Sequence, residues 1–320
     1  MERLFPIEKR SEYLYTLDYP YDYFLPELLE AGAGSVYALG RFVQKHAGLA
    51  KRPKITLGGG GCTTFCAHDA AGQPLMGRNF DYRAAPCLVV RTAPETGYRS
   101  VGITDLNMML YAFRGPKESS EQRLFLAPYA CMDGVNEKGL AIAVLELKAR
   151  ATRQKRGRVT LGTTAVIRAA LDTCATVEET VKLFQQYDLR AALFCDYHYQ
   201  VLDAAGNCAV LEYVGNELRV LRGQDHAMNF YLSADGPKCR EMGRDRETWV
   251  RDALAASGGR METADAMALL GKCRLHYRHW MGHMVECLWS AVYHCGDASV
   301  TVCAGPAGGE PIRFLQREDR

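Results

Sequence analysis

Apolar residues recur at helical spacing over 26–46, where Leu28, Leu29, Val36, Leu39, Phe42 and Val43 predict one helix. An aromatic stretch with Tyr13, Tyr15, Tyr19, Tyr21 and Tyr23 precedes it, and Lys51-Arg52-Pro53-Lys54 breaks it. Four consecutive glycines, Gly58 to Gly61, come next. Such a run suits neither a helix nor a strand interior and marks a junction that needs backbone freedom or close approach. From Cys62 the period changes to two. CTTFCAHD and PLMGRNFDY flank a glycine turn and predict a hairpin, with further strands over 87–93 and 98–105. Residues 131–147 predict two strands joined at Asn136–Gly139. A helical pair follows over 163–187, with Ala165, Ile167, Ala170 and Leu171 on one face and a capping box from Thr176 to Glu179 opening the second helix. Residues 198–221 read as a meander, 243–257 and 263–284 as helices, and 287–305 and 312–316 as strands. Strands, then helices, then strands fit a layered α+β domain with antiparallel sheets.

Composition narrows the classes. The chain has 320 residues, enough for a large core, with 48% hydrophobic and 24% charged residues. Net charge is +2 from 39 basic and 37 acidic residues, so no global field draws it to nucleic acid or an anionic membrane. No run of about 18 apolar residues predicts a membrane span. The opening MERLFPIEKRSEY has charges and a proline where a signal peptide needs an apolar stretch. Twelve cysteines, none in a CxxC pair, read as mostly buried free thiols in a reducing, cytoplasmic setting.

Cys62 is the first candidate for chemistry. A thiol nucleophile needs a base, and His68 lies six residues along the same strand, projecting away. Cutting the Gly61–Cys62 bond would supply one, since the freed α-amine has a reference pKa of about 7.7–8.0. Taken alone, Cys62 also reads as a small core residue after a glycine loop. Arg78 and Asp81 follow it by sixteen and nineteen residues within GRNFDY. On their own they read as a surface ion pair at a strand end.

Together, CTTF and GRNFDY at this spacing resemble the choloylglycine hydrolase family of N-terminal-nucleophile amidases. That family includes bile salt hydrolases and penicillin V acylases and, more distantly, N-acylethanolamine acid amidase and acid ceramidase. VNEKGLAIAVLEL (135–147) resembles its NE-x-GL-x-IA strand pair, Asn229 in HAMNFYL falls where the family keeps its oxyanion-hole Asn, and Arg246 in GRDRETWVRDAL where it has an active-site Arg. The similarity covers about residues 62–316. It implies a four-layer αββα sandwich over 62–320 and amide hydrolysis through an acyl-enzyme without metal or organic cofactor. It also implies roles: Cys62 as nucleophile and its α-amine as base, Asp81 orienting that amine, Arg78 favouring the thiolate, Asn229 in the oxyanion hole, and Tyr82 beside a second backbone donor. Glu146 stands where bile salt hydrolases have Asn and penicillin V acylases Tyr. It matches the acid amidase branch and puts a bile salt substrate in doubt. Residues 1–61 likewise match that branch, as a propeptide or a retained small subunit.

The expected substrate is a small-molecule N-acyl amine or N-acyl amino acid; Tyr111, Phe113, Phe125, Met108 and Met109 are candidates for an apolar acyl pocket. A homo-oligomer is left open. Two other readings stay in view. One is acyl transfer of the isopenicillin N acyltransferase type. The other is non-catalytic metal binding through His276, His279 and His283 on one helix face, with Cys273 and Cys287 nearby. The basic run Lys148, Arg150, Arg153, Lys155, Arg156 and Arg158 reads as a solvated loop or as steering for an anionic substrate.

Overall fold

The period-two segments become two stacked sheets. The computed structural model describes residues 5–54, 60–110, 122–192, 195–238, 241–279, 282 and 284–316. In chain order the elements are β1 (Ile7–Lys9), β2 (Leu14–Asp18), α1 (Leu25–Ala31), α2 (Val36–His46), β3 (Gly61–His68), β4 (Pro74–Arg83), β5 (Cys87–Thr92), β6 (Ser100–Asp105) and α3 (Ala127–Ala130). Next come β7 (Asp133–Asn136), β8 (Ala141–Leu147), β9 (Thr160–Gly162), α4 (Thr163–Thr173), α5 (Val177–Gln186), β10 (Asp188–Arg190), β11 (Asp196–Leu202), β12 (Cys208–Val214) and β13 (Glu217–Arg222). The chain closes with β14 (His226–Ala227), α6 (Arg244–Ser257), α7 (Thr263–Cys273), β15 (His276–Arg278), β16 (Met284–His294), β17 (Ser299–Ala304) and β18 (Ile312–Phe314).

One sheet has nine strands in the order β1-β2-β5-β6-β7-β8-β11-β12-β13. The other has seven, β14-β3-β4-β16-β17-β18 with β15 also on β16. α4 and α5 cover the first sheet, and α6 and α7 the second, which completes the αββα sandwich. The main core lies on the nine-stranded sheet and includes Phe80 stacked on Trp289 at 4.3 Å. A smaller core (Phe65, Phe230, Val250, Leu270, Val292) fills the space under α6 and α7. The predicted capping box is present, with Thr176 accepting from the Glu179 amide and Glu179 from that of Thr176.

Two expectations change, and one unassigned segment finds its place. The single helix over 26–46 is two, because Gly32 adopts φ 76° and Ser35 starts a new helix by capping the Ala38 amide. A Cβ at Gly32 would sit 2.9 Å from the Thr160 carbonyl oxygen, so only glycine allows this close approach. The helix over 263–284 ends at Cys273. The Leu275 amide then donates to Asp81 at 3.2 Å, and His276–Arg278 runs extended against β16. His276 and His279 therefore share no helix face, His276 is exposed and pairs with Glu286, and His283 lies outside the described residues. Among the described residues no cluster of three or more His, Cys, Asp or Glu is arranged to hold a metal. Finally, the aromatic opening is part of the fold. β2 runs parallel to β5, Phe5, Tyr19 and Tyr23 are buried, and Tyr23 donates to Asp172 at 2.7 Å.

The thiols follow expectation: of the eleven described cysteines, nine are buried and none is in a disulfide.

A polar bond spans the two sheets. Arg78 of β4 donates from Nε to Asp133 Oδ2 of β7 at 2.9 Å and from Nη2 to the Val144 carbonyl of β8 at 2.8 Å. Trp289 and Tyr293 of β16 also donate to Asp133. Both charges are fully buried, so removing one strands the other. Asp133→Asn is expected to cost about 3–5 kcal/mol of stability, read as a lower midpoint in thermal or denaturant unfolding.

Candidate active site

The β3–β4 hairpin sets Cys62, Arg78 and Asp81 by register. Cys62 pairs with Phe80, Thr64 with Arg78 and Gly61 with Asp81. Alternation turns Arg78 and Phe80 toward the nine-stranded sheet and Asp81 the other way, toward Leu275 after α7 and Arg246 on α6. All three residues are buried, so Arg78 and Asp81 are no surface ion pair.

Burial pushes the Cys62 thiol above its ordinary range, and the charge and hydrogen bond of Arg78 oppose that rise. Burial likewise pushes the Asp81 carboxyl up to about 6, against the pull of the Arg246 cation, the Leu275 amide and the Cys287 thiol. Asp81 Oδ2 has no hydrogen-bond partner and faces Gly61, whose added Cβ would lie 3.2 Å from it. At Gly60 an added Cβ would come within 1.8 Å of the Asp81 carbonyl oxygen. Gly60 is thus required by contact with β4, and Gly61 by Leu275, whose Cδ1 would lie 2.0 Å from an added Cβ.

The Cys62 backbone is gripped at both ends by side chains. Its N–H donates to Asn229 Oδ1 at 2.7 Å, and its carbonyl accepts from Arg246 Nη1 at 2.7 Å. Arg246 also donates to Thr63 Oγ1 at 2.9 Å and to Asn229 Oδ1 at 3.2 Å, and its Nη1 lies 3.7 Å from Asp81 Oδ2. Asn229 Nδ2 donates to the Glu146 carbonyl at 2.9 Å, which uses one of its two hydrogens. Arg244, two residues before Arg246, faces outward and pairs with Glu241 and Glu247.

Glu146 is buried at the end of β8. One carboxylate oxygen contacts Lys148 and the other has no partner. Burial raises the Tyr82 phenol, with the Asp105 and Glu146 carboxylates adding to the effect. Of the candidate acyl-pocket residues, Met108, Met109 and Phe125 are buried in the core, and Tyr111 and Phe113 lie outside the described residues. The basic run is partly structural: Arg153 donates to the carbonyls of Thr152 and Ala191, and Arg156 pairs with Asp188.

Two neighbours of the site went unnoticed in the sequence. Asp133 anchors Arg78 from another sheet; its signal was an acid within an apolar strand pair, where a buried charge demands a partner. The Cys287 thiol, which donates to the Trp289 carbonyl at 3.2 Å, pulls the Asp81 carboxyl down, and nothing marked it among twelve cysteines.

The profile for linear amide C–N hydrolases of the choloylglycine hydrolase family matches residues 62–229 and begins at Cys62. A penicillin V acylase of Pectobacterium atrosepticum is 31% identical over 119 residues, covering 33% of this chain. The match spans 30% of that relative's length. Among solved structures, a mutant conjugated bile acid hydrolase from Clostridium perfringens aligns with a TM-score of 0.56 and 13% identity, covering 81% of this chain and 99% of the other. Penicillin V acylase from Agrobacterium tumefaciens aligns with a TM-score of 0.54 and 18% identity, covering 79% and 85%. Both likenesses concern the fold. With more than half its length inside the family profile, this chain belongs to the choloylglycine hydrolase family of linear amide C–N hydrolases.

Proposed function

We propose that this chain hydrolyses the amide bond of an N-acyl amine or N-acyl amino acid, with Cys62 as a nucleophile freed by cleavage of its own Gly61–Cys62 bond. The observation that carries this reading is the placement of a buried thiol beside a buried guanidinium, on the residue where the family profile begins.

In the intact chain Cys62 N is an amide and cannot accept a proton. Cleavage turns it into an α-amine about where Asn229 Oδ1 already holds it. Burial and the Arg78 and Arg246 cations favour its neutral form, the form a base needs. The thiol passes its proton to this amine and attacks the substrate carbonyl, and the amine then protonates the departing nitrogen. Arg78 stabilises the developing thiolate. The remaining Asn229 Nδ2 hydrogen donates to the oxyanion, a contact worth about 3–4 kcal/mol. Asp81, beside the cut, orients the new amine, and Arg246 keeps the Cys62 carbonyl fixed. Glu146, with an unpartnered buried oxygen, and Tyr82 face the substrate's polar end. Water releases the acyl group.

The upstream segment is proposed to stay bound after the cut, because β1 and β2 are built into the nine-stranded sheet. The many buried thiols suit a reducing, cytoplasmic compartment. Among the described residues no helix is long and apolar enough to cross a membrane.

Intact-mass analysis of purified protein is expected to show two chains divided between residues 61 and 62 that co-elute on native gel filtration, whereas Cys62→Ala remains one chain. A fully active, uncut single chain would overturn the proposal. A panel of N-acyl amides followed by mass spectrometry should show turnover by wild type and none by Cys62→Ser. Turnover should fall as pH drops through about 6, where Asp81 takes up a proton and loses its charge. Asp81→Asn should lower kcat by about a hundredfold or more at every pH tested.

A further inference from the structure

Asn229 sits on a stretch with little sheet support. Past β14, its backbone N–H and carbonyl make one bridge to Met242, with N···O distances of 3.2 and 3.3 Å. What fixes the stretch comes from the opposite sheet. His198 on β11 places Nε2 2.7 Å from the Met228 carbonyl oxygen, one residue before Asn229. Glu212 on the neighbouring β12 accepts from the Leu232 amide at 3.2 Å and the Ser233 amide at 2.6 Å, just after it. The two side chains join each other, His198 Nδ1 to Glu212 Oε2 at 3.3 Å, and both are fully buried.

The chemistry of this pair is constrained. A carbonyl only accepts, so His198 Nε2 carries a hydrogen and donates it. Nδ1 and Oε2 then need one proton between them, carried on either atom; without it a lone pair would face a carboxylate in a buried site. Burial raises the Glu212 carboxyl, but the His198 ring and the Ser233 amide outweigh this and hold it below the ordinary range. Neither residue touches Cys62, and a buried acid and imidazole are costly unless they organise something.

We infer that His198 and Glu212 are positioning residues for Asn229, clamping the 228–233 segment from both sides so that the Asn229 amide is aimed at Cys62. This inference rests on the amidase reading for its kinetic consequence but not for its structural one. A displacement of about 1 Å at an oriented group costs on the order of a hundredfold in rate. His198→Leu is therefore expected to lower kcat about 10- to 100-fold with KM changed less than about twofold, since the loss falls on the transition state. His198→Gln, which keeps a donor for the Met228 carbonyl, should recover most of it. The double variant His198→Leu/Asn229→Ala should be no slower than Asn229→Ala alone, because the clamp has nothing left to aim.

Hydrogen exchange supplies a readout free of catalysis. In Glu212→Gln and His198→Gln, chosen to preserve size and folding, the Leu232 and Ser233 amides should exchange about tenfold faster in Glu212→Gln, with β8 and β11 unchanged. His198→Gln should leave them protected. Unchanged exchange at these amides in Glu212→Gln, or a uniform loss of protection across the sheet, would overturn the inference. So would a His198→Leu defect that adds fully to that of Asn229→Ala. An inactive wild type with the exchange pattern as expected would instead count against the amidase reading and leave the clamp standing.

Discussion

A guanidinium buried between two sheets is the constraint on which the rest of this structure depends. Arg78 cannot shed its charge, so it must be paired wherever it is placed. Here Asp133 and the Val144 carbonyl take it up from the nine-stranded sheet while its own strand belongs to the seven-stranded one. That requirement fixes how the sheets stack. It also sets a cation against the Cys62 thiol, opposing the desolvation that otherwise raises it. Stability and the charge set beside that thiol thus draw on one set of bonds.

The backbone of Cys62 is held as firmly as its side chain is tuned. Asn229 and Arg246, from two separate elements, bind its N–H and its carbonyl. Neither needs the chain to be cut to take up its position. The intact molecule therefore already has its cationic, amide and acidic groups assembled around an ordinary peptide bond. The proposed cleavage would ask for chemistry at one bond, with the surrounding framework in place.

How much of this was legible depends on sequence distance. The β3–β4 hairpin could be read because its partners are adjacent, so period, glycine turn and the Cys62–Arg78–Asp81 spacing spoke together. The capping box of α5 was local too. Asp133 was missed because its partner lies 55 residues away on another sheet. The segment after Cys273 was misread as helix because its strand conformation is set by tertiary bonds, Asp81 to the Leu275 amide and β15 to β16. The break between α1 and α2 turns on one glycine with positive φ inside an otherwise periodic stretch. Family resemblance located Asn229 and Arg246, whereas nothing in spacing pointed to their shared grip on Cys62.

The parallel pairing of β2 with β5 has a bearing on the order of events in the molecule's life. Parallel neighbours need a long crossover, and here that crossover runs through the glycine junction itself. While the chain is continuous, the crossover raises the local concentration of β2 beside β5; were it severed at the proposed site, the same docking would become a bimolecular encounter. Scission that preceded folding would leave β5 as a bare edge, open to pairing with any passing strand. The proposed cut would therefore follow assembly, with the tether acting as a scaffold for the molecule's own construction.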